Sequence, residues 1–286
     1  MPSGWDSYGQ AVRADGPVGW YRFNELLAGS AVLAGSQDPQ NLCFDSSVNG
    51  NLNAPVNANQ NFLQYGSAVL ANQSSLLVTN GVTSMVTTGD PGGSALFPST
   101  VTASTINIAT GGAAQPAILQ PTTAITVEAW HKPNVCTTGS VKQVLACFGT
   151  DASSLAGYNL YHLGSTAINH TFAFSVNVAG TLRTATATLP ALVVGTIYHV
   201  VGVYSGVNVL IYVNGVLQGT TAITGAISYA NIGAFGLAFG NDPSNSDANL
   251  QGYLDEVAIY NYGLSATRIA YHYREGSTYL PFVWNH

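Results

Sequence analysis

The stretch LQGYLDEVAIYNYGLSATRIAYHYREG, Leu250 to Gly276, decides how the rest of the chain is read. Apolar residues alternate through YLDEVAIY, the two-residue period of a strand with one buried face. Ser265 then stands where a helix N-cap belongs, Ala266 to Glu275 fills about three turns, and Gly276 takes the C′ position. The strand carries an acidic pair, Asp255-Glu256. Successive residues of a strand point to opposite faces, so this pair is not expected to share one cleft. On this reading Asp255 accepts backbone hydrogen bonds where the last strand meets the first, and Glu256 faces solvent.

Outward from that stretch the alternation recurs. In AITVEAWHKP, Ile125, Val127 and Ala129 oppose Thr126, Glu128 and Trp130. TFAFSVNVAGTLRTATATL reads as two strands joined at Ala179-Gly180. IYHVVGVYSGVNVLIYVNGVLQGTT reads as three, turned at Ser205-Gly206 and at Asn214-Gly215. Asn-Gly between alternating strands signals a type I′ hairpin, whose central residues both need positive φ. Near the N-terminus, Asp6 or Ser7 caps a short helix running through Val12, and Gly16-Pro17 ends it. VGWYRFNE follows as a strand with Trp20, Arg22 and Asn24 on one face and Tyr21 and Phe23 on the other. Many short strands with Gly and Asn turns and no βαβ rhythm predict an all-β sandwich or jelly roll, with one helix near each end. Residues 80–121 show no helical period and no core of their own. They are expected to be an insertion of loops and short strands within a single domain, 1–276, followed by an apolar extension, 277–286.

Composition narrows the function. Charged residues are 7% of the chain, against about 25% in ordinary soluble domains, while hydrophobic residues are 47%. With seven Lys+Arg and a net charge of −6, no basic patch is available for a phosphate backbone, which excludes nucleic acid as a partner. No apolar run approaches the roughly 20 residues of a membrane span. The opening MPSGWDSYGQAVRADG has neither the basic nor the apolar region of a secretory signal, so export by that route is not expected. Cys43, Cys136 and Cys147 have the spacing of neither a disulfide framework nor a zinc site; buried free thiols are expected, with a bridge between Cys136 and Cys147 closing a hairpin loop as the alternative.

The segments WYRFNE, FDSSVNGN, ITVEAWHKP, YHVVGVYSGVNVLIYVNGVLQG and GYLDEVAIYNYGLSATRIAYHYREG, in this order, resemble the laminin G-like or concanavalin A-like lectin/glucanase jelly roll. The resemblance implies a jelly-roll sandwich of two stacked, bowed antiparallel sheets with the late helix at their side. It also implies a structural calcium ion beside the acid at Asp255, with Asp45, Asn49 and Asn51 supplying further oxygens; calcium takes six to eight of them. Structural acceptor and calcium ligand both stay open for Asp255. The opening YGQAVRADGPVGWYRFNE is similar to laminin G-like proteins of tailed bacteriophage particles, which implies assembly into a virion in the host cytoplasm.

Catalytic patterns are missing from the sequence. Glycosidases place two carboxylates across one cleft, and the E-x-D-x-E strand of the glucanase branch does not occur here. Glu128 is the lone carboxylate of its strand and reads as a structural acceptor. His131, His162, His170, His199 and His272 have no metalloprotease spacing, and no serine sits in a nucleophile elbow. His199 reads as a packing residue, as does His162 on a strand lining the concave sheet. No catalytic residue is assigned; a lyase or hydrolase acting through Glu128 or His162 is the weakest reading. Trp20 and Trp130 read as core, whereas Trp5, Tyr279, Phe282 and Trp284 read as anchors on a partner subunit. The expectation is a non-catalytic structural or adhesion protein of a virion, as capsid decoration or tail component. It would bind neighbouring virion proteins and its own copies, and host-surface glycans as well. The alternative is a carbohydrate-binding module of an extracellular protein.

Overall fold

The computed structural model describes residues 7–23, 42–43, 63–65, 79–83, 93–97, 106–107, 117–136, 142–149, 157–164, 170–188, 191–230, 236–240 and 250–277. Its elements begin with α1 (Ser7–Ala14), β1 (Gly19–Tyr21), β2 (Leu42–Cys43), β3 (Leu63–Tyr65), β4 (Thr79–Thr83), β5 (Gly93–Phe97) and β6 (Ile106–Asn107). The middle of the chain supplies β7 (Ile125–Pro133), β8 (Lys142–Phe148), β9 (Tyr158–Leu163), β10 (Thr171–Val178) and β11 (Thr181–Thr186). β12 (Tyr198–Tyr204), β13 (Asn208–Val213), β14 (Val216–Ala222), β15 (Leu237–Phe239), β16 (Gly252–Tyr260) and α2 (Ala266–Ser277) complete it.

These strands form two eight-stranded antiparallel sheets, as the resemblance implied. The first runs β14-β13-β12-β7-β16-β5-β4, with β1 also on β16; the second runs β11-β10-β9-β8-β15-β6-β3-β2. β4, β5 and β6, from the 80–121 stretch, take places in both sheets. Between the sheets lies the main core, which includes Tyr21, Val127, Ala129, Phe148, Leu160, Phe172, Phe174, Val200, Ile211, Leu254 and Ile259. At Gly202 on β12 an added Cβ would stand 2.2 Å from the Phe174 ring. Only the absence of a side chain lets the ring approach this strand.

The turns follow their sequence chemistry. Asn214 and Gly215 take φ +50 and +77, and Ala179 and Gly180 take +50 and +79, the positive pairs of type I′ hairpins. The Asn214 side chain also fixes its hairpin, accepting the His199 backbone N–H at 3.0 Å. At one margin the sheets are tied to each other. Thr221 Oγ1 on β14 donates to the Thr184 carbonyl of β11 at 2.7 Å, and Thr188 Oγ1 donates to the Gln218 carbonyl at 2.9 Å.

Both helices pack on the outer face of the first sheet, over a second cluster containing Tyr8, Val12, Trp20, Trp130, Ala258, Tyr260, Leu264 and Ile269. Ser265 caps α2 as expected, its Oγ accepting the Arg268 N–H at 3.3 Å. The expected C′ role of Gly276 is corrected: the helix continues to Ser277. A Cβ at Gly276 would lie 2.3 Å from the Trp130 ring, so this glycine makes room for the indole and does not end the helix.

Candidate functional site

Glu128 is the most densely engaged polar group among the described residues. It is fully buried under the two helices. Tyr8 OH and His199 Nε2 donate to its Oε1 at 3.0 and 2.7 Å, and Tyr260 OH donates to its Oε2 at 3.0 Å. His272 Nδ1 on α2 stands 3.1 and 3.0 Å from the two oxygens. The other ring nitrogen of His272 faces Asp15 Oδ2 at 2.9 Å as an ion pair, and Arg268 Nε reaches the same carboxylate at 2.8 Å.

Burial alone would depress the His272 imidazole, but the Glu128 charge and the Asp15 contact overcome it and hold its pKa at about 9. Burial likewise opposes ionisation of Glu128; the His272 charge and the His199 hydrogen bond outweigh it and keep the carboxyl well below its ordinary range. The centre is therefore a carboxylate–imidazolium–carboxylate chain joining β7 to α2 and the end of α1. All its Glu128 oxygens are occupied and the group is closed to solvent, so it has the properties of the structural acceptor expected from sequence and not those of a nucleophile.

The acidic pair is divided by a feature the sequence does not signal. Between Asp255 and Ala258 the pairing of β16 with β7 slips by a residue, and Glu256 takes φ +50. A bulge of this kind breaks strict alternation and re-aims a side chain. The expected exposure of Glu256 is thereby corrected. It is fully buried, accepts Trp20 Nε1 at 2.6 Å and Arg22 Nε at 2.8 Å, and ties β1 to β16. Asp255 is also buried, and its Oδ1 accepts the Glu256 backbone N–H at 2.9 Å, in keeping with a backbone-acceptor role. The other expected calcium ligands, Asp45, Asn49 and Asn51, lie outside the described residues, as do the expected anchors Trp5, Tyr279, Phe282 and Trp284. Among the described residues no group of three or more His, Cys, Asp or Glu is gathered for a metal.

Three of the histidines meet inside the sandwich. His131 on β7 donates or accepts at Nδ1 with the Tyr253 carbonyl, 2.8 Å away, and its ring lies 5.2 Å from that of His162. His162 and His170 face each other through their Nδ1 atoms at 2.8 Å. His162 is a packing residue, as read from the sequence, with its ring against the core residue Phe172 between the sheets. Burial, opposed by the Tyr253 hydrogen bond, brings His131 down to about 4; burial and the neighbouring imidazoles hold His162 well below its ordinary value.

The outer face of the second sheet is different in kind. On β9 and β10 the residues opposite the core set are Asn159, Tyr161, Ala173, Ser175 and Asn177. Tyr161 OH meets Ser175 Oγ at 3.0 Å, and that oxygen meets Thr184 Oγ1 on β11 at 2.8 Å. Lys142 Nζ lies over the Tyr161 ring at 4.1 Å. The floor of this face is buried, and its margins at Leu163 and Thr186 are exposed. Every described carboxylate (Asp15, Glu128, Asp255, Glu256, Glu275) belongs to the helices, β7 or β16, on the side of the first sheet. Sequence reasoning passed over Asn159 and Asn177, although alternation in YNLYHLG and FSVNV already sets them opposite Leu160 and Val176. Cys147, also on β8, is a buried free thiol, and Cys136 is a half-buried one.

Two outcomes follow from this geometry. Glu128→Gln removes the charge that His272 faces in a buried setting, and is expected to cost about 3 kcal/mol of stability in urea denaturation. Stability against pH is expected to peak between about 6 and 7. The folded pKa of His272 lies above its ordinary 6.5, so its contribution is complete below 6.5 and is lost as pH rises through about 9. That of His131 lies below 6.5, so its contribution is complete above 6.5 and is lost as pH falls toward about 4. Thermal melts across that range check both limbs.

Solved structures share this architecture. The binding domain of Paraclostridial Mosquitocidal Protein 1 superposes with a TM-score of 0.54 at 12% identity, over 91% of this chain and 52% of that one. The receptor binding domain of botulinum neurotoxin D gives a TM-score of 0.52, also at 12% identity and with the same coverage. The chain thus spans about half of each. Domain 4 of AbnA, an extracellular arabinanase from Geobacillus stearothermophilus, solved with arabinotriose, gives 0.48 at 13% identity over 90% of this chain and 97% of that one. At these identities the likeness to the two binding domains is one of fold alone. No curated protein sequence matches the chain. Residues 105–270, more than half of the chain, match the laminin G-like family described as the Concanavalin A-like lectin/glucanases superfamily, and the protein belongs to that family.

Proposed function

We propose that this protein is a non-catalytic binding module that recognises carbohydrate on the outer face of its second sheet. The observation that supports this reading is the division of chemistry between the sheets. Described carboxylates are confined to the first sheet and its helices, where Glu128 and Glu256 are buried and fully engaged. On the second sheet the described outer-side polar groups are amides, hydroxyls and a tyrosine, buried at the floor and open at the margins; neutral donors and acceptors of this kind match sugar hydroxyls. Calcium belongs to this reading as a structural ion near Asp255. The test is a glycan array probed with the folded protein, once with calcium and once with EDTA. Selective binding to a set of glycans is expected, and a blank array would remove the carbohydrate assignment. Loss of that binding in EDTA would support the ion, and unchanged binding would count against it.

A second reading places the module in a bacteriophage particle, bound to neighbouring virion proteins and to its own copies. Two sequence features favour it: a surface with very few charges, and the aromatic residues Trp5, Tyr279, Phe282 and Trp284 near the ends of the chain. Mass spectrometry of purified particles is expected to find the polypeptide in fixed stoichiometry with the capsid or tail proteins. Its absence from them would end this reading, and would leave the extracellular alternative.

A further inference from the structure

One end of the main core is polar. His131 on β7 and His162 on β9 turn inward there, fully buried, with ring centroids 5.2 Å apart. A carbonyl only accepts, so the 2.8 Å contact with Tyr253 O fixes the His131 proton on Nδ1 and leaves Nε2 a bare lone pair. His162 shares a proton with His170 across their Nδ1 atoms. Among the described residues, Nε2 of His131 and Nε2 of His162 have no partner. Besides His170, the groups facing the two rings are uncharged. Gln143 on β8 and Phe172 on β10 stand opposite His162, and Tyr198 on β12 and Leu254 on β16 stand opposite His131. Half-buried Cys136 packs against the same core. Lys132 and Lys142 are turned away, over the rings of Tyr253 and Tyr161. Asp255 points to the other side of β16 from Leu254 and accepts the Glu256 N–H.

The connection 191–197 closes this end. Leu192 N–H donates to the His170 carbonyl at 3.0 Å, and Gly195 N–H donates to the Pro133 carbonyl at 2.8 Å. One short loop is thus bonded both to the segment leading into β10 and to the end of β7. Leu192 lies in the main core, whereas Val193 and Val194 are 59% and 53% exposed. Gln143 adds a second tie between the sheets, its Oε1 accepting the Gln251 N–H at 2.9 Å. We propose that His131 and His162 make this end of the sandwich an acid-opened latch: proton uptake places like charges between the sheets, parts them here, and frees the loop together with Leu192. The far end, where the Ala179 N–H donates to the Ala226 carbonyl at 2.9 Å, stays closed. An imidazolium without a counter-charge is costly in an apolar interior and is relieved by reaching water. Burial holds His131 down to about 4 and His162 well below its ordinary value. The closed form is therefore fully favoured above 6.5 and loses ground as pH falls toward about 4. Asp15 and Glu128, held below their ordinary values of 3.8 and 4.5, add to the acid loss only below those values.

Amide hydrogen exchange of the folded protein at about pH 7 and about pH 5 tests the latch. Protection, corrected for the intrinsic exchange rate, is expected to fall about twentyfold or more at the Leu192 and Gly195 N–H groups, the linkage due to His131 alone. It is expected to hold at Ala179. Equal protection of the loop at both pH values would overturn the proposal, and so would an equal loss at Ala179, which would mean that the whole fold loosens. His131→Asn keeps an N–H donor near the Nδ1 position but takes up no proton, and is expected to shrink the loss at the loop by about fivefold or more. A variant that retains the full loss would also overturn the proposal. Should the variant not fold, the histidine ring resonances of the unaltered protein decide. Those of His131 and His162 are expected to stay neutral at about pH 6 and to titrate together with the loss of loop protection. Titration near 6.5 with the loop still protected would sink the latch.

Discussion

The structure of the first sheet and its helices depends on one buried negative charge. Left unpaired inside a protein, a carboxylate costs several kcal/mol. Glu128 avoids that penalty only because donors arrive from four separate elements: Tyr8 on α1, His199 on β12, Tyr260 on β16 and His272 on α2. Each donor constrains where its element can sit. The charge therefore does what apolar packing does poorly, which is to specify one orientation of two short helices on a sheet face. Asp15 extends the constraint by taking the far side of His272 and the Arg268 guanidinium, so the end of α1 is held to α2 by charge as well as by contact.

Glu256 solves the same problem by other means. Its partners are an indole N–H and a guanidinium that also lies over the indole ring at 4.7 Å. Reaching them requires a backbone conformation that non-glycine residues rarely adopt. The strain at Glu256 is offset by a charged hydrogen-bonded pair at the seam between β1 and β16. Two adjacent acids, which in sequence resemble a catalytic or metal-binding pair, thus serve the fold.

Much of this was legible in the sequence. Alternation in AITVEAWHKP separates Val127 and Ala129 from Glu128 and Trp130, and the structure keeps that separation. Asn214-Gly215 announces its hairpin because few residues tolerate the required φ. What escaped depends on long-range geometry. A bulge changes the face of Glu256 without any residue that marks it. Gly276 looks like a helix terminator until the Trp130 ring, far away in sequence, is seen against it. His131 joins His162 and His170 only because two sheets stack, and no spacing along the chain encodes that meeting. Asn159 and Asn177 carry no signal along the chain beyond the alternation of their strands, and only their burial sets them apart.

The threonine contacts between β11 and β14 bear on how open the sheet margins are to a foreign strand. An unprotected terminal strand is a template onto which another chain can add, and concentrated β-proteins polymerise by that route. Here the carbonyls of Thr184 and Gln218 already accept from Thr221 and Thr188, so that margin has little left to offer a foreign backbone. Two neutralised acceptors on neighbouring edge strands make that margin a poor seed for strand-by-strand fibre growth.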